Sequence, residues 1–128
     1  MMNKEQTIEK VMKEYAKYGI PKGIVERIYD SAIEMDVPKE TIYPGMKMIL
    51  NNTLGLDNTD VIKEVGEGFT EHAINDTRKE NPTVSDKVIA KNFKEELEDN
   101  FDWKALEAPD DITNAIKNST EQFIKSNE

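Results

Sequence analysis

Ile8, Val11, Met12 and Tyr15 stand three, four and seven residues apart, and spacing of this kind returns in every segment that follows. On a helix of about 3.6 residues per turn such positions share one face, whereas a half-buried strand needs alternation with a period of two. Nothing alternates for long enough to make a strand. The chain therefore reads as all-α, a compact bundle of five to six short helices in a single domain. Its 128 residues can bury roughly two thirds of the surface that the unfolded chain exposes, so no covalent staple is required.

Prolines and glycines place the breaks. The first helix spans about 4–18 and ends at Gly19, which tolerates a left-handed backbone. Ile20-Pro21-Lys22 and Val37-Pro38-Lys39, seventeen residues apart, mark two further helix starts, because proline lacks an N–H and already has a helical φ. In the second helix Ile24, Ile28, Ala32 and Met35 share one side, widened by Val25, Tyr29 and Ile33. Pro44 in mid-helix would cost about 3 kcal/mol, which predicts a short turn at 38–42 and a fresh start at 44. Met46, Ile49, Leu50, Thr53 and Leu54 line that next helix, and Gly55 closes it.

Asp57, Asn58 and Asp60 offer caps to a fourth helix, with Val61, Ile62, Val65, Phe69 and Ala73 inward. Gly66 and Gly68 lower its propensity by about 1 kcal/mol each and mark a kink or a close crossing. A cap at Thr83 or Ser85 opens a fifth helix carrying Ile89, Phe93, Leu97 and Phe101 with Val88 beside them. Trp103 to Leu106 form a short turn, and Pro109 opens a last helix with Ile112, Ala115, Ile116, Ser119 and Phe123 inward.

Composition excludes several chemistries. The absence of cysteine removes disulfides, thiol nucleophiles and thiolate metal sites, and is in keeping with a reducing cytoplasm. The longest apolar run, Met48-Ile49-Leu50, is far short of the roughly 20 residues that span a bilayer, so no membrane role is expected. The first ten residues lack the apolar core of a secretory signal. The net charge of −9 is uneven: residues 1–56 carry eight basic and eight acidic side chains, and residues 57–128 nine and eighteen. With only two arginines, Arg27 and Arg78, general nucleic-acid binding is disfavoured, since duplex affinity comes mostly from neutralised phosphates.

No residue set announces catalysis. His72 is the only histidine, and its partner at i+4 is Asp76, which reads as a polar border pair; two ligands on an exposed helix make a weak metal site. Neither a metal nor a cofactor is expected. "GEGF" at 66–69 lacks the lysine and spacing of a phosphate loop, and "DNTD" at 57–60 lacks the third oxygen ligand and the glycine of a calcium loop. Residues 21–54 have the outline of a helix-turn-helix, with Lys39, Lys47, Asn51 and Asn52 as thin material for reading bases. A DNA-binding regulator is thus the alternative function.

The stretch "EELEDNFDWKALEAPDD", residues 95–111, has eight acidic residues against one lysine. Asp110 and Asp111 follow Pro109 in a first turn, where the helix dipole stabilises negative charge by about 0.3–1 kcal/mol. Glu95, Glu96, Glu98 and Asp99 crowd the opposite end of the fifth helix, where the dipole disfavours them. With Asp102 and the lone tryptophan, Trp103, they suit a basic protein partner. The expected function is a small non-enzymatic, cytosolic binding protein working through that surface, with self-association as a further possibility. The competing account is a solvated acidic face that serves solubility alone.

Overall fold

The computed structural model describes residues 2–99 and 109–128, with the side chain of Asp99 outside the description. Among these residues lie six α-helices and no strand, the all-α class that the periodicity implies. The helices fall into two compact units, 1–61 and 62–128.

In the first unit α1 (Lys4–Glu14) is opened by a reciprocal cap: the Asn3 side chain accepts from the Gln6 amide, and the Gln6 side chain accepts from the Asn3 amide. A single 3₁₀ turn, Ala16–Tyr18, completes the expected first helix up to Gly19, which has φ 64°. Next come α2 (Lys22–Glu34) and α3 (Lys39–Leu54), each preceded by its proline. Ile8, Val11, Tyr15, Val25, Ile42, Met46 and Leu50 make one buried cluster shared by the three helices. Each such side chain contributes about 1.5–3 kcal/mol on burial.

The helix α3 corrects the expected break at Pro44, because it runs unbroken from 39 to 54 with Pro44 inside. Ile42, Met46 and Leu50 recur every four residues across the proline, and all three are buried. Their burial outweighs the lost hydrogen bond. The first turn is also tied, since both the amide and the hydroxyl of Thr41 donate to the Pro38 carbonyl, at 2.9 and 2.8 Å.

Two inward stripes are rotated from those expected. On α2 only Val25 is fully buried; Ile28, Tyr29 and Ala32 pack at the border, and Ile24, Ile33 and Met35 are exposed. On α3, Ile49 and Thr53 are exposed, and Lys47 and Asn51 are buried in their stead. The helix α2 ends with Asp36 at φ 53°, while the amides of Asp36 and Val37 donate to Ile33 and Ala32 at 3.2 and 3.1 Å. That backbone favours glycine, and a carboxylate opposes the dipole there. Asp36→Gly is expected to raise stability by about 0.5–1 kcal/mol in urea unfolding; a loss would mean that the aspartate is held by a favourable contact.

The helix α4 (Thr59–Glu80) crosses the boundary between the units in its first turn, and α5 (Asp86–Asp99) and α6 (Asp110–Ser126) complete the second unit. The Asp57 carboxylate prepares the start of α4 by accepting from the Thr59 hydroxyl at 2.8 Å and the Thr59 amide at 3.2 Å. Those bonds, the hydroxyl's first, hold its pKa below the ordinary carboxylate value. Ser85 precedes α5 and accepts from the Val88 amide. Arg78 and Asp86 clamp the connection between α4 and α5 through two bonds, at 3.0 and 2.7 Å.

Inside this unit α4 buries Val65, Gly66, Gly68, Thr70 and Ile74, while Ala73 is exposed, contrary to the expected stripe. The reason is a close crossing. A Cβ on Gly66 would lie 2.5 Å from the backbone carbon of Ala115 in α6. The Thr70 hydroxyl, on the same face, donates to the Gly66 carbonyl at 3.1 Å and faces the Thr120 hydroxyl at 3.3 Å. On α5, Ile89 and Ala90 are buried and Val88 is exposed.

Candidate functional site

The acidic end of α5 is positioned by the opposite face of the same helix. Phe93 meets Phe123 of α6 with ring centroids 5.9 Å apart, Phe93 and Leu97 are half-buried, and Ile89 and Ala90 are buried. That inward stripe leaves Glu95, Glu96 and Glu98 exposed. The last turn of α5 holds no basic residue. Lys94, one turn before Glu98, reaches instead to Glu128 at 3.5 Å. Among the described residues Glu95, Glu96 and Glu98 have no ion-pair partner. Three carboxylates thus stand in solvent at a negative helix end, an arrangement that raises the local negative potential. Asp99 closes the helix, and Phe101, Asp102, Trp103 and Leu106 lie outside the described residues.

His72 and Asp76 pair as the i, i+4 spacing implies, with Nε2 3.2 Å from Oδ2, on a partly exposed face of α4. Among the described residues no group of three or more His, Cys, Asp or Glu side chains could hold a metal ion.

The helix-turn-helix outline is present as α2, the turn 35–38 and α3. Three of the four side chains singled out for base reading are engaged within the unit. The Lys47 ammonium lies 3.6 Å from Glu14 and 4.9 Å from the Tyr43 ring centroid. Asn51 Oδ1 accepts from the Tyr15 hydroxyl at 2.5 Å. Asn52 pairs with Asn58. Lys39 stays exposed at the start of α3.

Those engagements belong to a polar cluster that sequence reasoning missed. Glu14 accepts from the Tyr43 hydroxyl and faces Lys47, Tyr15 bonds Asn51, and the Asn51 amide donates to the Asp57 carbonyl at 3.4 Å. The one signal in the sequence is that Lys47 and Asn51 follow Met46 and Leu50 at the same fourfold spacing, which places a polar row beside the apolar row.

The chain matches no protein-family model, no curated protein and no solved structure. Fold and site together define an all-helical protein with an exposed carboxylate cluster on one helix end, and among the described residues no helix is long and apolar enough to cross a membrane.

Proposed function

We propose that this chain is a small non-enzymatic binding protein that engages a basic protein surface through Glu95, Glu96 and Glu98, continued by Asp99, Asp102 and Trp103. The observation that carries this reading is the exposure of three carboxylates that have no ion-pair partner among the described residues, at the end of α5 where its own dipole disfavours them. A stability-driven surface would place lysine there. Opposite charge across an interface accelerates association and selects the partner.

The test is crosslinking capture from a native lysate with the parent chain and with a variant carrying Glu95→Gln, Glu96→Gln, Glu98→Gln and Asp99→Asn. The variant is expected to lose a basic partner that the parent retains, and to unfold at slightly higher urea, by tenths of a kcal/mol per residue neutralised. The partner should also leave the parent as salt rises. A variant that retains every partner would sink the reading.

A duplex-DNA regulator built on residues 21–54 is the second reading, supported by the helix, break, helix order of α2 and α3. Lys47, Asn51 and Asn52 are held within the unit, which leaves Lys22, Arg27 and Lys39 as the basic side chains to meet DNA and favours the acidic-surface reading. If duplex fragments shift at low salt and release with a steep salt slope, the second reading replaces the first.

A further inference from the structure

We propose that a groove in the first unit binds a long-chain carboxylate, independently of the acidic end of α5. The groove, open to solvent on one side, has a volume of about 480 Å³ between the start of α1, the last turns of α2 and the start of α3. That volume is in the range of small-molecule sites. Met2, Tyr29, Ile33 and Ile42 form its apolar walls. Ile33 is 49% exposed and Met2 37%, so both present apolar surface that the core does not use.

The charges along the groove have one sign. Lys4 and Lys39 line it and no carboxylate does, although residues 1–61 hold ten acidic and eight basic side chains. Lys4 is held by Asp30 at 2.9 Å. Lys39 has no ion-pair partner among the described residues, and it opens α3 behind Pro38, which provides no side-chain cap. The positive end of the α3 dipole therefore adds to the Lys39 charge.

Three other polar groups of the lining are committed elsewhere. The Asn3 side chain caps α1, the Thr7 hydroxyl donates to the Asn3 carbonyl at 2.8 Å, and the Tyr43 hydroxyl donates to Glu14. A peptide backbone would need such atoms as partners, whereas an alkyl chain needs none. Apolar walls with an unpaired lysine ammonium among the described lining residues suit a single alkyl chain bearing an anionic head.

The experiment is a titration of the methyl-labelled full chain with dodecanoate, followed by NMR, beside dodecyl maltoside as the same chain without charge. Dodecanoate is expected to move the methyl signals of Met2, Ile33 and Ile42 and to bind about tenfold more tightly than the maltoside. Lys39→Glu, which suits a helix start and preserves folding, should weaken dodecanoate about tenfold and leave the maltoside unchanged. Ile33→Asn should weaken both. Equal affinity for the two probes, shifts centred on Ile24, Met35 and Ile49, or no shift at all would overturn the proposal.

Discussion

Gly66→Ala is expected to lower stability by about 2 kcal/mol, against the direction of helix propensity, which alone would raise it by about 1 kcal/mol. The added Cβ would stand 2.5 Å from the carbonyl carbon of Ala115, 2.6 Å from its Cβ and 2.8 Å from its oxygen. Two of those atoms are backbone, so the relief is a displacement of α6 and not a rotamer change. Overpacking of this kind costs about 1–3 kcal/mol and more where backbone must move. The expected readout is a melting midpoint lower by roughly 5–10 °C. Ala115→Gly in the same chain should recover part of the loss, because it removes the 2.6 Å contact and leaves the two backbone contacts. The control is Gly45→Ala on α3, where a Cβ meets nothing within 4 Å; it should stabilise by about 1 kcal/mol. A Gly66→Ala chain as stable as the parent would refute the close crossing.

Tyr15→Phe is the second large effect, with an expected cost of about 1–3 kcal/mol although only one oxygen is removed. Tyr15 is 7% exposed, and its hydroxyl donates to Asn51 Oδ1 at 2.5 Å. Its loss leaves a buried amide oxygen that has given up water and gained nothing. Because the penalty belongs to the orphaned partner, Tyr15→Phe combined with Asn51→Leu should cost less than the sum of the two single changes. Urea unfolding of the four chains measures the coupling. Strict additivity would show that the two residues do not act as a pair.

These two predictions rest on features of unequal legibility. Gly66 and Gly68 in an otherwise helical pattern already pointed to a kink or a close approach, since glycine weakens a helix unless something needs its missing side chain. Which helix approaches was not readable, because Ala115 lies 49 residues away and no local pattern links it to Gly66. The Tyr15–Asn51 pair was hidden for the same reason. Tyr15 counted as one more inward aromatic and Asn51 as a surface amide until α1 and α3 were brought together.

The candidate acidic surface divides in the same way. Glu95, Glu96 and Glu98 were identifiable from their density and from their place at a helix end, and their exposure follows from the inward stripe of Ile89, Phe93 and Leu97 on the same helix. The engagement of Lys94 with Glu128, which turns the adjacent cation towards α6, was decided by tertiary packing. So was the groove that Lys39 borders, since its walls come from three helices.

Helical class, the starts of α2, α3 and α6 behind Pro21, Pro38 and Pro109, and the uneven charge are determined by sequence alone, because periodicity, proline geometry and side-chain charge act within a turn or two. Tertiary structure decided the continuity of α3 through Pro44, the rotation of the α2 and α4 stripes, and the burial of Lys47 and Asn51. In each case a local preference worth about 1–3 kcal/mol met the burial of several side chains worth as much apiece, and that larger sum exists only once distant helices meet.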